Sequence, residues 1–507
     1  MKNIALATRT AAIIGTFAML AACNLEASDP SKDGTPTAPT APPAMTPSTD
    51  PMAPSPKPSP GMAIVRVVHA SADAPVVDVY VKGSDKPIVT GLTYGQTSGW
   101  LEVPPGSYEF ELRGGPSKPT DPIAYKTAAL TIPAGAKISA VAAGLLGSQD
   151  TDSAFRIVPV VEGFDAAGAG NARVRVLHAG SDAPSVDLDV GNDDPAKPEV
   201  AGLARFSDTG AAGVALPAGK ALAIGIAAAG NRVTAFTTPK LPEGADLLVI
   251  ATGLLGKLAR ERDGFALLAV GPNGSIGFIK QDPRVYALHG SPDTPRIDAF
   301  VGTSEIIDNL GFGELSGPLQ VQPGTYTIDV FAHVAGAERP ASAPALSASS
   351  GKLEAGERYL TVASGFLASA GSGAASSLRL LAFREGFALG TGKAQLRAVH
   401  ASPDAPEVDI GLASGTKIDP VLFAGLTFSQ ASADEGLGAS AGHLPVGVTP
   451  AGQNSSLVAR VTLPATNAQR AFVLAGGALN PQRGQGFRFF LVDTAASPWT
   501  VTTALPH

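Results

Sequence analysis

The stretch that decides the fold is His69-Ala70-Ser71-Ala72-Asp73-Ala74-Pro75-Val76-Val77-Asp78, because it returns three more times. The second copy is His178-Ala179-Gly180-Ser181-Asp182-Ala183-Pro184-Ser185-Val186-Asp187. The third is His289-Gly290-Ser291-Pro292-Asp293-Thr294-Pro295-Arg296-Ile297-Asp298, and the fourth is His400-Ala401-Ser402-Pro403-Asp404-Ala405-Pro406-Glu407-Val408-Asp409. The histidines stand 109, 111 and 111 residues apart, so four of the seven histidines hold one repeated position. A period near 110 is the size of a whole domain, too long for one solenoid turn or propeller blade.

Other landmarks keep the same period. Gly91-Leu92-Thr93-Tyr94 answers Gly202-Leu203-Ala204-Arg205-Phe206, Asn309-Leu310-Gly311-Phe312 and Gly425-Leu426-Thr427-Phe428. A turn follows at Pro104-Pro105-Gly106, Pro217-Ala218-Gly219, Pro323-Gly324 and, altered, Pro445-Val446-Gly447. Late in each unit come Ala143-Gly144-Leu145, Thr252-Gly253-Leu254, Ser364-Gly365-Phe366 and Ala475-Gly476-Gly477. Runs such as Arg173-Val174-Arg175-Val176-Leu177 and Val77-Asp78-Val79-Tyr80-Val81 alternate apolar and polar, as strands do. Pro- and Gly-bearing turns break such runs about every 10 residues, and no capped helical run appears. About seven short strands in roughly 110 residues describe a two-sheet antiparallel sandwich of immunoglobulin-like or transthyretin-like type. The expected all-β organisation is four tandem sandwiches over 63–165, 172–272, 283–388 and 394–496, with a tail over 497–507. Small-residue links such as Ala166-Ala167-Gly168-Ala169-Gly170 predict adjacent sandwiches that touch, in a row of four.

Composition agrees with this class. Of 507 residues, 58 are Gly and 43 Pro, about a fifth of the chain against a usual share near 12%. Charged residues are only 16% and apolar ones 44%, which excludes a charged disordered chain and disfavours helical bundles. The net charge of −7, without clustered Lys and Arg, argues against a nucleic-acid partner.

The N-terminus supplies an address. Lys2 and Arg9 precede an apolar stretch from Ala11 to Ala22, a secretory signal over 1–22 that is shorter than the roughly 20 apolar residues of a membrane span. Leu20-Ala21-Ala22-Cys23, holding the chain's single cysteine, resembles the lipobox of bacterial lipoproteins. That resemblance implies cleavage after Ala22, diacylglycerol on the Cys23 thiol and a third acyl chain on its amine. Two or three chains anchor stably, since each buried methylene contributes about 0.8 kcal/mol. Asn24, where an Asp would imply retention in the inner membrane, points to the outer membrane of the bacterial cell envelope. Residues 23–62, with runs such as Ser55-Pro56-Lys57-Pro58-Ser59-Pro60, read as a disordered Pro/Ser/Thr-rich stalk sampling polyproline II. With its only thiol acylated, the chain has no disulfide and must fold by burial.

The repeated pattern val-his-ala-ser-x-asp-ala-pro-x-val-asp, followed by gly-leu-x-phe/tyr-gly and a pro-x-gly turn, resembles a bacterial family of domains of unknown function, family 4397. The resemblance covers roughly Ala63 to Asp493 and implies secreted or surface-attached proteins, often in tandem, with a β-sandwich fold and no established activity. Units two and four depart from it after the turn, with Ala221 and Thr449 where Tyr108 and Tyr326 stand.

The His-x3-Asp-x4-Asp spacing invites three active readings. Imidazole and two carboxylates can bind a divalent metal. By parity, however, His69 faces the core at a strand end and Asp78 faces away, so one ion would need the loop to bring them together. Catalysis by His, Asp and Ser71 lacks a nucleophile elbow, and Gly180 replaces the serine in unit two. Calcium binding lacks the alternating Asp and Asn ligands of an EF-hand. The fourth reading is structural. Asp-x-Pro is turn chemistry, with the carboxylate accepting amides just ahead, while a neutral strand-end histidine donates to a loop carbonyl or to the Asp. A fold-critical corner must recur in every copy, and this one does. The residues assigned to loop pinning or ligand binding are therefore His69, Asp73, Asp78, His178, Asp182, Asp187, His289, Asp293, Asp298, His400, Asp404 and Asp409.

Gly311-Phe312-Gly313 opens no helix and is no dinucleotide loop. Trp100 and Trp499 are too few for a carbohydrate platform, and Trp100 reads as rim packing. The expectation is a non-enzymatic lipoprotein without metal or cofactor, held at the membrane by its N-terminal lipid and binding a protein or polysaccharide. The alternative is a metal- or small-ligand-binding protein using the His/Asp loops.

Overall fold

The computed structural model describes residues 50–336 and 338–506, so the signal segment, Cys23 and residues 24–49 lie outside the described residues. Strands alternate with turns throughout. The described residues include no α-helix and only two single-turn 3-10 segments, Leu367–Ser369 and Pro481–Arg483. None of their helices is long and apolar enough to cross a membrane.

Each repeat forms two main sheets, and repeat 1 adds a two-stranded one in which Gly106–Tyr108 pairs with Leu130–Ile132. In repeat 1 the strand ending in the motif histidine, Ala63–His69, lies inside a sheet ordered Arg156–Val161, Lys137–Ala143, Ala63–His69, Leu101–Val103. The strand carrying the second Asp, Val77–Val81, lies inside the other, ordered Pro87–Leu92, Val77–Val81, Phe110–Gly114, Tyr125–Lys126. Repeats 2, 3 and 4 reproduce both, with His strands Asn171–His178, Arg284–His289 and Ala394–Ala401 and Asp strands Val186–Val190, Ile297–Val301 and Val408–Ser414. The Asp-strand sheets are antiparallel, with a core of residues such as Val67, Val77, Val79 and Leu112 between the layers of repeat 1.

One pair in each repeat differs from the fully antiparallel expectation. The His strand runs parallel to Lys137–Ala143, Asp246–Thr252, Arg358–Ser364 or Arg470–Gly476, with the histidine beside Ala142, Ala251, Ala363 or Ala475. Period-2 patterning cannot reveal strand direction, which is set by a crossover through the other sheet.

The described residues divide into two compact units, 50–281 and 282–506, and each holds two repeats packed through their His-strand sheets. In the first unit, Val68, Val141 and Val160 of repeat 1 form one apolar cluster with Leu177, Ile250, Leu268 and Val270 of repeat 2. In the second, Leu288, Leu360 and Val362 of repeat 3 join Val399, Phe472, Leu474 and Phe490 of repeat 4. The His-strand sheets therefore have a core on both faces, which is why every residue of Ala63–His69 and Ala394–Ala401 is buried. The contacts are reciprocal, as in an isologous dimer. Arg66 donates from Nη1 to the Gly271 carbonyl at 2.8 Å, and Arg175, its counterpart in repeat 2, donates to the Val161 carbonyl at 2.5 Å.

Three boundary readings and one turn are corrected. Residues 497–507 are not a loose tail. Thr500–Ala504 pairs with Arg488–Asp493, and Trp499 stacks on Tyr286 with ring centroids 4.2 Å apart. Repeat 2 does not end at 272, because Ser275–Lys280 adds a fifth strand to its sheet. The end of the supposed stalk lies on the folded body: Met52 packs against the repeat 2 core, and Lys137 Nζ donates to Ser55 Oγ at 2.5 Å. Pro445-Val446-Gly447 is no turn but the middle of the strand Gly442–Pro450. There Gly447 lets Leu457 approach, and a Cβ would sit 2.5 Å from its side chain.

Candidate functional site

The repeated motif forms one corner, built four times at the end of the His strand. Alternation turns the imidazole inward, and it is buried in every copy, at no more than 1% exposure. Each ring Nε2 meets the carbonyl of the motif proline six residues on, at 3.0 Å for His69–Pro75, 2.8 Å for His178–Pro184, 2.9 Å for His289–Pro295 and 3.0 Å for His400–Pro406. A carbonyl only accepts, so Nε2 carries the proton and Nδ1 is bare. In repeats 2 and 3 that Nδ1 accepts weakly from the Gly180 and Ser291 amides. Burial pushes all four imidazole pKa values down, against the upward pull of the proline carbonyls.

The first Asp reaches farther than a local turn. Asp73 accepts from the Leu146 and Gly147 amides at 2.8 and 2.9 Å. Asp182 takes Leu255 and Gly256, Asp293 takes Leu367 and Ala368, and Asp404 takes Leu479 and Asn480. The expectation of partners just ahead in the chain is thus corrected. The amides belong to the loop after the parallel strand, which the fold brings back over the corner. That loop opens on Gly144, Gly253, Gly365 or Gly477, all with positive φ. A Cβ on Gly365 would lie 2.3 Å from the Ser377 carbonyl oxygen. Ser71, Ser291 and Ser402 donate to the carbonyls of Gly144, Gly365 and Gly477 at 2.7, 2.6 and 2.7 Å. In repeat 2 the Phe265 ring lies 3.0 Å from where a side chain on Gly180 would begin.

The second Asp points away from the core, as alternation requires, yet Asp78 is 3% exposed because two neighbouring segments cover it. It accepts from the Gly91 amide and from the amide and hydroxyl of Ser117, each at 2.7 Å. Burial pushes its pKa up, but these bonds outweigh it and hold the carboxyl below its ordinary value. Asp298 accepts from Asn309, Val334 and His333, Asp409 from Gly425 and Gly452, and Asp187 from Gly202.

The corner histidine and its two aspartates thus bond to three separate segments, and no described corner brings all three ligand atoms to one point. Among the described residues one group does converge. Asp298, Asp308 and His333 of repeat 3 place ligand atoms within 4.8 Å of one another, with His333 Nδ1 2.8 Å from Asp298 Oδ1. Neither His333 nor Asp308 belongs to the repeated motif, so the spacing did not disclose them.

Residues 63–189 and 283–411 match the family model described as Domain of unknown function (DUF4397). Each match takes in one whole sandwich and runs on through the His/Asp corner of the next. The chain belongs to this family. Within the DUF4397 pattern the tyrosine after the turn donates four residues back, from Tyr108 to the Pro104 carbonyl at 2.8 Å and from Tyr326 to Gln322 at 2.6 Å. Strand register shows that its counterparts are Leu222 and Leu444 rather than Ala221 and Thr449, each five residues before the partner of the second Asp. The leucines keep the apolar body and drop the hydroxyl bond. No curated protein matches the chain. Among solved structures, the Bacillus anthracis TIE protein is 8% identical over 82% of this chain and 67% of its own, with a TM-score of 0.14. A product complex of the multi-modular glycogen-degrading pneumococcal virulence factor SpuA is 11% identical over 78% of this chain and 37% of its own, with a TM-score of 0.13. At such values neither bears on fold or function.

Proposed function

We propose that this DUF4397 chain is a non-catalytic binding scaffold, anchored through lipid on Cys23 at the bacterial envelope, which presents its sandwiches to a protein or polysaccharide. One observation supports it above the rest: in every repeat the His/Asp set is spent on hydrogen bonds that close the corner. The imidazole proton is held by a proline carbonyl, the first carboxylate by two amides, and the second by the neighbouring strand connection. Such groups stabilise a rim and leave recognition to the surfaces that the rims carry. Several surfaces on one anchored chain bind by multivalency, where weak contacts combine.

The test is retention of residues 50–507 on washed bacterial cells, intact or stripped of surface protein by protease. Retention that survives protease identifies a polysaccharide partner, and retention lost with protease identifies a protein. Absence of retention on both overturns the reading. Full-length protein carrying Cys23→Ser is expected to leave the membrane fraction.

A second reading, a divalent-cation site, has one observation in its favour, the convergence of Asp298, Asp308 and His333. Stoichiometric metal on dialysed protein, lost on His333→Ala, would establish it.

A further inference from the structure

In the second unit the corner of repeat 3 and the late loop of repeat 4 enclose an open cleft of about 940 Å³, at the upper end of the range for ligand pockets. The motif itself builds this cleft. Asp404 holds the amides of Leu479 and Asn480, which aims the following loop towards repeat 3. Asn480 caps the single turn Pro481–Arg483, and the Gln485 amide then donates to the Pro292 carbonyl of the repeat 3 corner at 2.8 Å. Gly484, at φ 125°, permits this contact, since a Cβ there would lie 2.2 Å from the same oxygen.

Two guanidinium groups line the cleft on aromatic seats. Arg483 lies 3.6 Å over the Phe366 ring and Arg488 4.9 Å over the Phe312 ring. Among the described residues neither has a carboxylate within ion-pair reach. The third arginine of the cleft, Arg296, is already paired with Glu314 at 2.6 Å. With Asp293, whose carboxylate is taken up by the Leu367 and Ala368 amides, the lining sets three arginines against two carboxylates, a net positive charge on a chain of net charge −7. The corresponding loop of repeat 2 differs, because there Lys257 lies 3.6 Å from both Glu261 and Asp263. Arg488 is held in place by bonds from Nε to the Gly486 carbonyl at 3.1 Å and from Nη2 to Gln485 Oε1 at 3.4 Å, which leaves its Nη1 for a ligand. Arg483, seated on its ring, offers its planar N–H fork to the two oxygens of a carboxylate. Both rings are covered by the arginines, so the cleft offers no apolar pocket for the side-chain anchor that a peptide would need. Gln482 adds a donor and an acceptor suited to hydroxyl groups, and Gln485, whose Oε1 accepts from Arg488, adds its amide donors.

We propose that this cleft binds an acidic glycan, a polysaccharide segment whose uronate carboxylates engage Arg483 and Arg488. The inference rests on the binding-scaffold reading and specifies its ligand. Isothermal calorimetry on residues 50–507 would use polygalacturonate oligosaccharides, a neutral glucan of similar length and an oligoglutamate peptide. The expected result is binding of the uronate alone, weakened as sodium chloride is raised and at least tenfold weaker in Arg483→Ala and Arg488→Ala. Arg483→Lys keeps the charge without the planar fork and is expected to fall between wild type and Arg483→Ala. Thermal midpoints unchanged from wild type show that the variants fold. Uronate binding indifferent to these substitutions, or oligoglutamate binding of equal strength, overturns the cleft assignment. If the variants are retained on washed cells as wild type is, the assignment fails while the scaffold reading stands. If wild type itself is retained on no surface, both fall.

Discussion

At the residue scale, the corner histidine is a buried neutral donor, and its worth lies in the carbonyl it satisfies. Replacing His69 with Ala leaves the Pro75 oxygen without its ring donor, which costs about 1–3 kcal/mol of stability in the first unit, read from urea unfolding. The four lowered imidazole pKa values also set a pH dependence. A base whose folded pKa is depressed binds more protons when unfolded, so stability rises with pH through that window. As pH falls below the ordinary histidine value of about 6.5, the unfolded chain takes up protons that the folded corners refuse, and stability declines. Urea midpoints taken from about pH 7.5 to about pH 5 are expected to fall, with a shallower slope in His289→Gln, which keeps a donor and does not titrate. Asp78 and Asp298 act at lower pH, because carboxyls with depressed pKa add stability above their ordinary range and lose it as they protonate. The identity of these residues was legible from repetition alone. Their partners were not, since Asp73 bonds to amides more than 70 residues on.

At the element scale, the His strands are central in their sheets and covered on both faces. Strict alternation describes a half-buried strand, and Arg66 and Arg175 sit where alternation puts solvent. They face instead the partner repeat. Arg66 is 2% exposed and bonds Ser139 Oγ at 2.8 Å, Glu162 at 3.0 Å and Gly271, with its guanidinium 4.5 Å from the Trp100 ring. Trp100 is therefore buried between repeats, donating to the Pro272 carbonyl, and is not a packing residue of a free rim. Removing one partner of a buried ion pair costs about 3–5 kcal/mol, so Glu162→Ala is expected to destabilise the first unit by that order in denaturant titration. In the second unit Phe472 holds the equivalent centre, packed on Phe387 with centroids 5.1 Å apart and on Trp499. Phe472→Ala is expected to cost about 3–5 kcal/mol by the same measurement.

At the scale of the molecule, the folding unit is a pair of sandwiches. A single repeat would expose the apolar face that its neighbour covers, the kind of patch that drives association. Calorimetry of residues 50–507 is accordingly expected to show two transitions, one for each unit, rather than four. Residues 50–281 alone are expected to remain soluble and cooperative, while residues 63–165 alone self-associate. Four independent transitions, or a soluble monomeric 63–165 fragment, would contradict this organisation.

Repetition, turn residues and period-2 patterning were enough to read four β-sandwiches and to single out the motif that closes each of them, because those signals are local and were written four times. The parallel pairing of the His strand, the paired sandwiches, the strand at Thr500–Ala504 and the cleft carrying Arg483 and Arg488 came only with the tertiary structure. Each depends on contacts between residues far apart in the chain, and a side chain's neighbours across a crossover or a sheet face leave no periodic mark on the sequence.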